Sequence, residues 1–217
     1  MGERKETRKY AFTVEGETEQ WYLLWLQNQI RAYENSKYNV VIDVKVQPSP
    51  RKFYRGTNAR TTPEVVHLCD MESPAQEHIE RFENILSEMQ EAKQQKNIQY
   101  HLGYSNFTFE LWMILHKQAC NGVLSHRGQY LRFINKAFGE SFESLDEYKE
   151  ESNFKRCLSK MSLENVRDAI SRAEQMTSVN EQDKSISQHN GYEYYRDNPA
   201  ISVQESVKEI LKECGII

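Results

Sequence analysis

The chain has 217 residues, 38% of them hydrophobic and 28% charged, with 28 Lys and Arg against 32 Asp and Glu for a net charge of −4. That length suits one domain, or one domain with an elaboration, and the composition excludes a disordered, collagenous or repetitive chain. The negative balance argues against a protein coated in basic residues, so any contact with phosphates has to come from a local patch.

No apolar stretch approaches the ~20 residues of a bilayer span, the densest being Trp21 to Leu26. Met1 to Glu6 has no apolar signal core, and Glu6 stands where myristoylation at Gly2 needs Ser or Thr. A soluble, cytoplasmic protein without membrane contact is expected. The four cysteines, Cys69, Cys120, Cys157 and Cys214, are dozens of residues apart with no C-x-x-C pair. They read as buried free thiols, not as a zinc site or a disulfide framework.

In chain order, Lys9 to Val14 reads as a strand running into Glu15-Gly16-Glu17-Thr18-Glu19, where Gly16 allows a tight turn and Thr18 can cap a helix. Trp21 to Leu26 with Ile30 is apolar nearly all round, as in a buried helix. Tyr38 to Val46 is a β-branched strand. Gln47 to Thr62 then holds Arg51, Lys52, Arg55 and Arg60 and no acid, with Phe53 and Tyr54 interleaved, and reads as a basic loop.

Val65 to Cys69 is a short apolar run of the kind found in central strands, ending on Asp70-Met71-Glu72. Pro74 opens a helix with Ile79, Phe82, Ile85, Leu86 and Met89 on one face and Glu80, Glu83, Glu88, Glu91 and Lys93 on the other. Ile98 to Leu102 is a fourth strand, followed by Ser105-Asn106 as a cap and an apolar helix from Phe107 to His116. Alternation of this sort predicts an α/β fold with a mainly parallel sheet flanked by helices.

Beyond about residue 120 only helices are expected: Gly128 to Phe138, Phe154 to Met161, Leu163 to Met176 and Val203 to Cys214, with Thr177 to Pro199 as a long exposed loop. The expected organisation is an α/β core over 1–120 with a helical elaboration over 121–217 packed on it.

Two acidic clusters stand where strands end. Glu15, with Glu19 one helical turn on, follows the first strand, and Asp70 with Glu72 follows the third. In open α/β sheets ligands bind outside the carboxyl ends of the strands. Four converging carboxylates repel one another unless a cation sits among them, and hard oxygen ligands suit Mg²⁺ or Mn²⁺. For either cluster alone the alternative is a helix cap or a solvated turn. Arg51, Lys52, Arg55 and Arg60 could hold a nucleic-acid backbone, with Phe53 or Tyr54 stacking on a base, or form an ordinary solvated loop. Glu110, one turn into an apolar helix, is a secondary site candidate. His116, near the helix end, suits the dipole or a site.

Phe12 to Glu19 followed by Leu68 to Glu72 resembles the Toprim fold of topoisomerases, primases and overcoming-lysogenization-type nucleases. More specifically, Glu15-Gly16-x-Thr18-Glu19, Ser105-Asn106-Phe107 through His116, and Asp197-Asn198-Pro199-Ala200 resemble the RloB family, which is associated with restriction-modification and abortive-infection loci. Two departures stand out: Asp70-x-Glu72 replaces Asp-x-Asp, and Phe107 takes the place of Pro after Ser-Asn.

The resemblance implies a Toprim-like core carrying a Mg²⁺- or Mn²⁺-dependent nuclease centre used in antiphage defence. Glu15 would be a metal ligand or general base, Asp70 and Glu72 metal ligands, and Glu19 a ligand of a second ion. The substrate would be RNA or DNA. With no G-x-x-x-x-G-K-[ST], G-x-G-x-x-G or G-x-S-x-G in the chain, energy coupling would come from a separate ATPase partner. The rival expectation is a non-catalytic interaction or sensor subunit that keeps the scaffold, and Glu72 is the feature that favours it.

Overall fold

The computed structural model describes residues 5–217, so the signal and myristoylation readings at Met1 to Arg4 fall outside the described residues. Strands β1 (Thr7–Val14), β2 (Asn39–Val46), β3 (Glu64–Asp70) and β4 (Gln99–Asn106) are parallel, in the order β2-β1-β3-β4. A two-residue strand, Ala200–Ile201, pairs antiparallel with Ser105 and Asn106 and closes the far edge. The α/β class and the mainly parallel sheet are therefore those expected.

The alternation of side chains along the strands builds two cores. Phe12, Val14, Val40, Ile42 and Leu68 face α1 (Glu17–Ala32) and the C-terminal helices. Val65, Cys69, Tyr100 and Tyr104 face the opposite way, onto α3 (Gln76–Lys96), whose Phe82, Leu86, Met89 and Ala92 form the buried stripe. Both faces are covered, as a parallel sheet requires. The first core is completed by α4 (Glu110–Leu115), α5 (Tyr130–Phe138), α6 (Leu145–Lys149), α7 (Glu151–Ser159), α8 (Leu163–Asp183) and α9 (Val203–Glu213).

Strand β1 lies between β2 and β3, with α1 on one face and α3 on the other, so the chain reverses its direction of winding between β1 and β3. These two strands are joined over only three residue pairs, Phe12 to Val14 against Val66 to Leu68. Below that seam Arg8 to Ala11 and Glu64 to Val65 diverge around a cleft that Ile210 and Glu213 of α9 help to line.

Several expectations are corrected. The basic segment after β2 is a helix, α2 (Pro50–Gly56), started by Pro50 and capped by the Ser49 hydroxyl accepting from the Lys52 N–H. Gly16, not Thr18, is the N-cap of α1, and the Thr18 hydroxyl donates to Glu19 instead. Pro74 stands before α3, which begins at Gln76. Ser105 and Asn106 belong to β4, not to a cap, and the Asn106–Phe107 peptide is cis.

The C-terminal half is not wholly helical. Helix α8 runs to Asp183, and the expected exposed loop after it is a hairpin, β5 (Ile186–His189) and β6 (Tyr192–Tyr195), turning on Asn190 and Gly191 at positive φ. Ala200–Ile201, β7, returns to the main sheet. The four cysteines are free and buried, and no helix among the described residues is long and apolar enough to cross a membrane.

Candidate functional site

The reversal between β1 and β3 leaves a crevice at the carboxyl ends of the strands, and Glu15 and Asp70 are the residues at its two sides. One hydrogen bond joins them: Glu15 Oε2 accepts from the Asp70 N–H at 3.1 Å. Both are half-buried and open onto a cleft lined also by Glu72, His78, Arg81 and Phe82.

Glu19 and Glu110 lie behind them, buried. Glu19 Oε2 accepts from Thr18 Oγ1 at 3.0 Å and lies 3.0 Å from where a Cβ on residue 16 would sit, so Gly16 leaves the space the carboxylate occupies. Glu110 accepts a short hydrogen bond from the Thr108 hydroxyl. Lys149 Nζ, from α6, reaches Glu110 Oε1 at 3.2 Å and answers the group from behind, while Arg81 attracts Glu15 at the mouth.

The electrostatics follow from burial and crowding. Burial pushes the Asp70 carboxyl well above the usual carboxylate range, and Glu15, Glu19 and Glu110 add repulsion that Lys149 only partly offsets. Burial likewise raises Glu19, with Glu110 adding to it. Glu15 is pushed up to about 7 by burial, opposed by the Asp70 N–H and by Arg81 and reinforced by Glu19 and Glu72. For Lys149, burial acts to lower the ammonium, yet Glu110, Asp70 and Glu19 outweigh it and the net shift is upward. The centre thus holds more carboxyls than cations.

An all-oxygen donor set short of positive charge fits a hard divalent ion in its chemistry. Its present spacing is looser: among the described residues, no three His, Cys, Asp or Glu side chains are gathered closely enough to hold a metal. Glu72 contributes to this. Its Oε1 lies 3.5 Å from an Arg81 guanidinium nitrogen, and its Oε2 3.7 Å from Arg127 and 3.8 Å from His78.

The basic segment is elsewhere. Arg51 is clamped on α3, donating to Glu91 at 2.8 and 2.6 Å while its N–H donates to Glu88, which is buried and not on a solvated face. Tyr54 is buried beneath it, which removes it as a stacking platform, and Phe53 packs partly against the same core. Lys52, Arg55 and Arg60 are exposed. Glu91 lies ten residues beyond Arg81 on α3, about 15 Å along the helix, so this patch stands away from the crevice.

His116 carries no charge for a dipole. It is buried between Trp112 O (2.9 Å) and the Tyr22 hydroxyl (3.2 Å), and burial lowers its pKa to about 3.

Two of the three blocks that carry the family resemblance, those at Ser105-Asn106 and at Asp197 to Ala200, meet in space. Ser105 is in register with Asp70 and accepts from the Met71 N–H at 3.0 Å, while Asn106 pairs with Ala200 across the β4–β7 ladder. The Asn198 side chain brackets Leu124, accepting from its N–H at 2.7 Å and donating to its carbonyl at 2.8 Å. Lys149, His78, Arg81 and Arg127 were not singled out by sequence. His78 and Arg81 lie in the predicted helix after Glu72 with no pattern that marks them, and Lys149 and Arg127 come from distant segments. No curated protein and no solved structure matches the chain. The sequence model of the family described as RloB-like protein matches residues 10–210, and the chain belongs to that family.

Proposed function

We propose that the protein is a divalent-metal-dependent nuclease that hydrolyses phosphodiester bonds of RNA or DNA in antiphage defence. The observation that carries the reading is the crowding of Glu15, Glu19, Asp70 and Glu110 at the strand-end crevice with Lys149 as their counter-charge. Such a centre is held together against its own repulsion, and a stable fold built only for packing has no need of it.

Glu15, Asp70 and Glu19 would hold Mg²⁺ or Mn²⁺, which supplies charge neutralisation at a scissile phosphate and a more acidic water. Glu15 and Asp70, at the mouth, are the residues that meet substrate, and Glu15 takes the proton released in the attack. Glu110 and Lys149, behind them, position Asp70 and Glu19. Lys52, Arg55 and Arg60 extend the contact along the strand away from the centre. A separate ATPase would supply any energy coupling.

The test is a calorimetric titration with Mn²⁺ of the wild-type chain beside Asp70→Asn. Binding at micromolar to low millimolar levels that is lost in the variant is expected, followed by loss of cleavage in Glu15→Ala and Asp70→Ala with folding intact. Equal binding in both proteins, or none in either, overturns it. The second reading, a non-catalytic interaction or sensor subunit, is favoured by the orientation of Glu72 toward Arg81, Arg127 and His78. Activity of the natural sequence excludes that alternative; activity only after Glu72→Asp supports it.

A further inference from the structure

We infer that Arg81, Arg127 and His78 form a subsite for a backbone phosphate of a nucleic-acid strand, and that Glu72 is the internal anion occupying it in the free protein. The inference rests on the nuclease reading for its placement, since the same cleft contains Glu15 and Asp70.

Three donors converge on one carboxylate from two distant parts of the chain: His78 and Arg81 from the first turns of α3, and Arg127 from the turn before α5. All three approaches are long, 3.5 to 3.8 Å, where a well-formed guanidinium–carboxylate pair closes to about 2.7–2.9 Å. Neither Arg81 nor Arg127 has another hydrogen-bond or ion-pair partner among the described residues, and both are more than half exposed. Two guanidinium groups with most of their donors unspent, sharing a small anion they do not grip while Arg81 also feels Glu15, suit a larger oxyanion with more oxygens.

His78 is set to donate as well. Ser73 Oγ accepts from the Ala75 N–H at 3.1 Å, which leaves its hydroxyl proton for His78 Nδ1 at 2.6 Å. That assigns the ring proton to Nε2, the nitrogen facing Glu72 and, equally at 3.8 Å, Glu77. The start of α3 has no side-chain cap, so its dipole adds attraction for an anion at the same place.

The assignment separates the roles of the two acids in Asp70-x-Glu72: Asp70 belongs to the carboxylate centre and Glu72 to the phosphate subsite. A strand entering the cleft exchanges its phosphate for Glu72, which swings free of the arginines.

The experiment uses the full chain in EDTA, with fluorescence anisotropy of labelled ten-nucleotide single-stranded RNA and DNA, and inorganic phosphate as competitor. Omitting metal separates this inference from the nuclease reading, which the Mn²⁺ titration tests on its own. Glu72→Gln is expected to tighten binding roughly two- to fivefold, the size of an exposed charge pair, whereas Glu64→Gln, with the same change of charge at the far end of β3, leaves it unchanged. Arg81→Gln with Arg127→Gln is expected to weaken binding and lower the slope of log K against log salt by about 0.7 per arginine.

Millimolar phosphate should displace the oligonucleotide from Glu72→Gln. The inference is overturned if Glu72→Gln binds no more tightly than Glu64→Gln, or if the double arginine variant keeps the wild-type affinity and salt slope. Phosphate binding without oligonucleotide binding, followed by phosphorus NMR, would assign the subsite to free phosphate and overturn the nucleic-acid assignment.

Discussion

Gly16 and Asp70 show how single positions in this crevice govern charge placement. A Cβ at residue 16 would stand 3.0 Å from Glu19 Oε2, so Gly16→Ala should shift that carboxylate by a few tenths of an ångström without unfolding α1. Because Gly16 is also the N-cap of α1 and Ala caps less well by about 1 kcal/mol, the expected result is a melting temperature lower by about 2–4 °C and Mn²⁺ affinity lowered roughly tenfold, the usual scale for displacing a ligand's support. Asp70 has a raised pKa in the fold, so the native state binds a proton more readily than the unfolded chain and the ionised group weakens the fold at neutral pH. Asp70→Asn in EDTA should therefore melt higher than wild type, by about 2–4 °C for each kcal/mol of repulsion relieved. A lower melting temperature would show that the Asp70 carboxylate is compensated better than Lys149 alone allows.

The elements that hold the crevice are secured by side chains far apart in sequence. Asn198 ties the β7 segment to Leu124 by two buried hydrogen bonds, and Asn198→Ala should lower stability by about 2 kcal/mol, measured by urea unfolding. Glu140 links α5 to α7 through Arg156 at 2.9 and 3.0 Å and Lys160 at 2.6 Å, and these partners hold its carboxyl down at about 2. Its contribution is present above the usual carboxylate value and lost as the pH falls toward 2. Glu140→Gln should accordingly melt lower than wild type at pH 7 and no differently near pH 2.

At this scale the sequence was legible wherever a pattern is local. The β-branched run of β2, the apolar run of β3 and the three-four spacing of α3 all appear as elements close to their expected bounds. Glu15 and Asp70 were legible because strand ends are where an α/β fold exposes side chains. The hairpin has a local signal in Asn190-Gly191, which the expectation of an exposed loop over Thr177 to Pro199 left out. Lys149 and the Arg51 clamp were not legible, because Lys149 meets Glu110 and Arg51 meets Glu91 only after folding brings distant segments together. Two-residue β7 is too short for any periodicity to declare.

Across the whole molecule, His67 and His116 place two neutral imidazoles in opposite cores. Both are fully buried, and burial lowers each pKa to about 3. Below the ordinary histidine value near 6.5 the unfolded chain takes up protons that the fold refuses, so stability falls with pH from about 6.5 to 3. Urea unfolding over that range should show His116→Gln with a shallower loss than wild type.

The three-pair seam between β1 and β3 divides the sheet into a β2-β1 panel and a β3-β4-β7 panel, and Glu15 rides on one while Asp70 rides on the other. The carboxylates sit above the seam and the open wedge lies below it, so a small rocking of the panels changes the gap between the acids most directly. A ligand that draws Glu15 and Asp70 together acts as a clasp on the two panels. Its signature would appear far from the crevice, as slower amide hydrogen exchange at Val66 to Leu68 and along the wedge lined by α9.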